Sequence, residues 1–328
     1  MCTDRAQDLV SFADAERLVQ EFKQLLARHG IVIRDDSELG IACSSMTSIL
    51  LRHWDPTLRD LKADIRQEFR DALALHAFLH NTLDARTRPD FGQLLEHIKE
   101  LAKGGVRQNQ WTNVLDQLAP KLFELLIALA ALRIGSDVQL DHPTKSSKGK
   151  NPDVLVTIDG ARWGIACKML NSYDKGCPAK PSAYFTNIED GVRQINNATL
   201  DHGLVIISRK NVIDHDRAWP LLNPEEFKYG ADPEYDVFRT AEEVTDQLAA
   251  EARALHQAMF DEKGEANVLE LFKNSKARPV SLQHLHTVAA VTCCEKTMAT
   301  PLQFLFAKTD DIGRPVAELL NRALQHRQ

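Results

Sequence analysis

The stretch Lys150-Asn151-Pro152-Asp153-Val154-Leu155-Val156-Thr157-Ile158-Asp159-Gly160-Ala161-Arg162-Trp163-Gly164-Ile165-Ala166-Cys167-Lys168 decides the fold. Asp159-Gly160 between two apolar runs is a strong signal for a two-residue hairpin loop, whose central positions need positive φ. In that register Ile158 faces Ala161, and Asp153 falls opposite Ala166. Side chains alternate faces along a strand, so Ala166 and Lys168 share a face and Cys167 points the other way. The hairpin is therefore expected to bring Asp153, position 166 and Lys168 to one patch.

Outward from the hairpin, the pattern reads as an α/β sheet domain. An apolar helix at Lys121–Arg133 precedes short β-like runs at Val138–Leu140, Val154–Ile158 and Trp163–Cys167. A helix near Ala183–Asn197 and a strand at Gly203–Ser208 follow. A segment at about 216–240, with several Pro and aromatic residues, reads as an insertion. A long helix at Ala241–Phe260 comes next. Strands at Leu285–Thr292 and Leu302–Ala307 are expected around a turn at Glu295–Thr300, and a last helix at Val316–His326. Residues 1–116 read as a helical domain, with helices at Asp14–Arg28, Leu58–Ala85 and Phe91–Ala102 and a short strand at Ile31–Ile33. That domain suits a scaffold, oligomerisation or sensing role. Residues 117–328 form the second domain.

The hairpin and its flanks resemble the PD-(D/E)XK nuclease superfamily, the group that includes Mrr, RecB-type and Holliday-junction-resolving nucleases. The matching residues are Pro152-Asp153, the hairpin, and a strand ending Ala166-Cys167-Lys168. Glu124, in the helix before the sheet, and Gln194, in the helix after the third strand, occupy places where many members carry a Glu and a Gln. The resemblance covers about Leu118 to Ser208. It implies a restriction-endonuclease-like core that hydrolyses DNA with Mg²⁺ or Mn²⁺. Asp153, Glu124 and a carboxylate at position 166 would be the metal ligands. Lys168 would position the attacking water and balance charge, and Gln194 would support the site. It also implies a homodimer, since cutting both strands needs two sites. A bacterial defence or restriction-type role and an activating protein partner follow from the same analogy.

One position departs from the family. Ala166 stands where the family has Asp or Glu, and alanine offers no oxygen to a cation. Three accounts of Ala166 stay open. It is an engineered substitution that disables an enzyme, or it marks a naturally inactive member kept as a nucleic-acid-binding or assembly module. In the third account the acid comes from another element, Glu124 or Glu189.

Composition sets the outer bounds. The 328 residues carry 40 Lys and Arg against 46 Asp and Glu, a net charge of −6. That excludes a protein holding nucleic acid by bulk positive charge, but leaves room for a local basic groove. Pro120–His215 supplies such a region, with 12 basic and 10 acidic residues. Lys145, Lys148 and Lys150 directly precede the Asp153 strand, and Lys175 and Lys180 lead into the Gln194 helix. All five are candidate contacts to a nucleic-acid backbone. Neither a signal peptide nor a membrane span is expected, and six cysteines in this length read as reduced thiols of a cytoplasmic protein. His284-x-His286 with Cys293-Cys294 matches no standard zinc spacing and reads as an exposed strand face. No phosphate-binding Gly-rich loop and no Gly-x-Ser-x-Gly motif occur.

Overall fold

The computed structural model describes residues 14–54, 66–102, 118–143, 150–171, 179–219, 240–293 and 296–325. Its centre is a mixed six-stranded sheet flanked by helices, in the order β1 (Ser136–Leu140), β2 (Val154–Ile158), β3 (Ala161–Met169), β4 (His202–Ser208), β5 (Val280–Cys293) and β6 (Lys296–Thr309). β1, β2 and β3 form an antiparallel meander, β4 and β5 run parallel to β3, and β6 returns antiparallel.

The β2–β3 turn has the geometry its two residues favour. Asp159 and Gly160 both take positive φ, 50° and 79°, and the ladder pairs Ile158 with Ala161 and Val154 with Ile165. The Asp153 N–H donates at 3.0 Å to the carbonyl of Ile165, already the partner of Val154, so the one-to-one register ends at that pair and the expected pairing of Asp153 with Ala166 is not formed.

Helix α5 (Leu118–Ile134) explains much of the packing. It is apolar all round, the pattern of a helix buried on every side. Leu125, Ile127, Ala128 and Ala131 have no exposed surface. α5 lies on one face of β1–β3 and also touches α3 (Arg66–Ala85), α4 (Leu95–Leu101) and α10 (Gly313–Gln325). One apolar cluster therefore runs from Phe22 of α1 (Ala15–Arg28) and Phe78 of α3 through α5 to Ile165 and Leu204 of the sheet, crossing position 116. Arg133 reinforces the junction by donating to Asn81 at 2.9 Å, Asp84 at 3.2 Å and the Ala323 carbonyl at 3.0 Å.

The opposite face of the sheet carries α6 (Pro181–Asn197) and α8 (Ala241–Lys263). Alternation sorts β3 between the two cores: Trp163, Ile165 and Cys167 belong with α5, whereas Ala166 belongs with Tyr184, Ile188 and Val192 of α6. The crossover is tight. A Cβ on Gly203 would stand 2.5 Å from Ile195 and 2.9 Å from the Gly164 carbonyl. Gly203→Ala is therefore expected to destabilise the fold by about 1–3 kcal/mol through overpacking, read as a lower midpoint in urea unfolding.

Four expectations are corrected. Ile31–Ile33 forms no strand; it follows the α1 terminus, where Gly30 at φ 70° closes the helix. Helix α2 (Glu38–Trp54) had no counterpart in the pattern reading. The β5–β6 hairpin is longer than expected, and Lys296–Thr300 continues a strand where a turn was read. His284 and His286 are buried, at 2% and 5% exposure, and Phe123 of α5 lies 5.1 Å from the His284 ring. Of the insertion, 216–219 ends in the short helix α7 (His215–Ala218) and Trp219, whereas 220–239 lies outside the described residues.

Candidate active site at the open end of the β2–β3 hairpin

The open end of the hairpin gathers the charged groups. Asp153, just ahead of β2, is 8% exposed. Its Oδ2 accepts the Cys167 backbone N–H at 2.7 Å, which fixes the carboxylate against β3. Lys168, one residue on, is half-buried. Ala166 has no exposed surface and packs in the α6-side cluster. Glu124 approaches from α5 and is 4% exposed. Its partners are Lys121, whose Nζ donates to Oε1 and Oε2 at 2.8 Å each, and His97 of α4, with Nε2 at 3.3 Å. Where the resemblance implied a metal beside Glu124, the structure pairs it with Lys121 and His97.

Electrostatics link Asp153 to Glu124, Lys168 and Lys121. Burial first, and the nearby Glu124 charge second, push the Asp153 carboxyl up to about 7, against the pull of Lys168, the Cys167 N–H and Lys121. The Cys167 thiol is raised well above its ordinary value by burial and by Asp153 and Glu124, so it is no nucleophile here.

The raised Asp153 value sets a pH dependence. The folded chain holds this proton up to about pH 7, whereas an unfolded aspartate releases it near 3.8. Between those values the native state binds more protons, so its contribution to stability falls as pH rises and stays low above 7. Asp153→Asn removes the penalty and keeps an acceptor for the Cys167 N–H. The variant is expected to melt several degrees above the parent at pH 8, corresponding to a few kcal/mol, with the gap closing as pH falls below the unfolded value of 3.8. Thermal melts across that range check it.

Gln194 of α6 is 4% exposed, and its Oε1 is buried without a hydrogen-bond partner. It lies nine residues, half a helical revolution, from Phe185, which sits under Lys263 of α8 at 5.7 Å. Gln194 therefore occupies the flank of α6 opposite Phe185. Its level is set by neighbours. Gly191 abuts Val205, the pairing partner of Ala166, and Ile195 abuts Gly203. Lys150 and Lys180 are exposed, Lys180 at the start of α6. Lys145, Lys148 and Lys175 lie outside the described residues.

The pattern reading missed His97 and Lys121. It also missed the Arg209-Lys210-Asn211 turn after β4. All three of those side chains are buried, and Asn211 donates to Asn171 at 2.7 Å, just past Lys168 and Met169. The signals were present for two of these. Lys121 stands three residues before Glu124, and Arg209-Lys210 directly follows an apolar strand.

Asp153 and Glu124 offer a hard cation two buried carboxylates. Among the described residues no group of three or more His, Cys, Asp or Glu gathers to hold a metal. No family model matches the chain, nor does any curated protein or solved structure.

Proposed function

We propose that this chain carries a PD-(D/E)XK-type nuclease core for Mg²⁺- or Mn²⁺-dependent hydrolysis of DNA, disabled at one position by Ala166. The observation that carries the reading is the hairpin end itself. Asp153 stands at that end with its carboxylate held on the Cys167 N–H, and the Glu124 and Lys168 charges both act on it. The order helix, antiparallel meander, crossover helix, parallel strand supports it as well.

The donor set fits a divalent cation. Asp153 and Glu124 are two buried carboxylates whose charges act on each other, and Mg²⁺ commonly takes only one or two protein carboxylates, with water and phosphate completing its shell. Bound there, such a cation would polarise the scissile phosphate and acidify a water. Asp153 and Glu124 would hold it. The Asp153 carboxylate is already oriented by the Cys167 N–H. Lys168 holds the attacking water against the phosphate and offsets the charge that develops on it. Gln194, with its unpartnered Oε1, receives a proton donor from the water or DNA side of the site. Exposed Lys150 and Lys180 bear on the DNA backbone.

A second reading has one observation in its favour. Ala166 fits its apolar surroundings without exposed surface, as in a fold kept for binding or assembly after loss of catalysis. Assay of the Ala166→Glu chain separates the two. Mg²⁺-dependent DNA cleavage, absent from the parent, is expected. A folded Ala166→Glu chain that cleaves neither DNA nor RNA with either metal leaves the binding role.

A further inference from the structure

We propose that Lys121 is the resident counter-cation of this site and that a divalent cation must displace it to load. The inference rests on the reading of Asp153 and Glu124 as cation ligands. Its ground is the geometry of one ammonium. Lys121 Nζ stands 2.8 Å from both oxygens of Glu124, astride the carboxylate where a chelated ion would sit.

The three side chains differ in their freedom to move. Glu124 is 5% exposed and His97 1% exposed, so both are walled in, whereas Lys121 is 19% exposed. A four-carbon stem in the first turn of α5 lets that ammonium swing to solvent without moving the helix. A buried carboxylate stripped of its counter-charge is costly, so Glu124 keeps either the ammonium or an incoming cation. The two compete, because a divalent ion against the same oxygens would repel the ammonium at close range. His97, in contact with Oε2, steadies the carboxylate through the exchange. Metal affinity is thereby lowered by the fraction of molecules with the lysine seated.

The test titrates Mn²⁺ into the full-length Ala166→Glu chain and into the same chain carrying Lys121→Met, following free Mn²⁺ by its paramagnetic resonance. The Lys121→Met chain is expected to bind at least tenfold more tightly. In parallel, acetylation of Lys121 by an amine-reactive reagent, read by mass spectrometry in the chain that keeps the lysine, should rise as Mn²⁺ saturates. This second readout decides the matter if Lys121→Met does not fold. Mn²⁺ binding that Lys121→Met leaves unchanged or weakens overturns the proposal alone. So does a Lys121 amine that stays protected at saturating Mn²⁺. Absence of Mn²⁺ binding in both chains overturns the cation site and the lysine exchange together.

Discussion

In a chain made active by Ala166→Glu, Lys168→Met is expected to lower the rate of Mg²⁺-dependent DNA hydrolysis by about 10³-fold, within the range for a positioned proton-transfer or charge-stabilising group. The loss should fall on kcat, with DNA affinity nearly unchanged. A half-buried lysine on β3 can reach the reacting phosphate, whereas the exposed Lys150 and Lys180 remain to bind the backbone. Asp153→Asn in the same background is expected to cost at least as much. Its carboxylate is the one that the hairpin register and the 2.7 Å bond from the Cys167 N–H hold in place, and a neutral amide binds a hard cation poorly. Single-turnover cleavage of labelled duplex DNA measures both. Retention of full activity by either variant removes that residue from the chemistry.

The second large effect is on folding. Ile127→Ala is expected to destabilise the protein by about 2–5 kcal/mol, the cost of an empty space in a core that cannot collapse around it. Ile127 has no exposed surface, and its helix is wedged between the sheet and the helices α3, α4 and α10. Because the apolar cluster runs without a break from α1 to the sheet, the helical region should be lost in the same transition as the sheet. Urea unfolding followed by far-ultraviolet dichroism and by tryptophan fluorescence tests this. Coincident curves, both shifted to lower urea, are expected; a separate early transition for the helices would show that α5 does not couple them.

Legibility varied along the chain for identifiable reasons. The hairpin was readable because Asp159-Gly160 permits one turn geometry, and that turn dictates every pairing from Ile158–Ala161 to Val154–Ile165. The same reading placed Ala166 and Lys168 on β3, but not the break in register at Asp153, whose N–H bonds to Ile165. α1 was readable from its apolar spacing, and Leu18, Val19, Phe22, Leu25 and Leu26 are all buried. α2 was not, since its Ser, Thr and Ile content disfavours a helix in isolation; it persists by packing on α1 and α3. The length of β5 and β6 escaped notice because a two-stranded ladder carries polar residues such as Thr297 and Thr300 that read locally as turn. Glu124 was named from its place in the helix before the sheet. Its His97 partner was not, because 27 residues and a change of element separate them. The burial of His284 depends on tertiary packing such as the Phe123 ring beside it, which strand periodicity alone does not encode.

The claim that matters most is that Asp153 and Glu124, joined by a carboxylate restored at position 166, form a cation site. Crystals of the Ala166→Glu chain soaked in Mn²⁺, with data collected to reveal the anomalous signal of manganese, test it directly. A manganese peak is expected within bonding distance of the Asp153 carboxylate and the carboxylate introduced at position 166, close to Lys168. A folded chain with manganese bound elsewhere, or with none bound at saturating concentration, would contradict a cation site at the end of this hairpin.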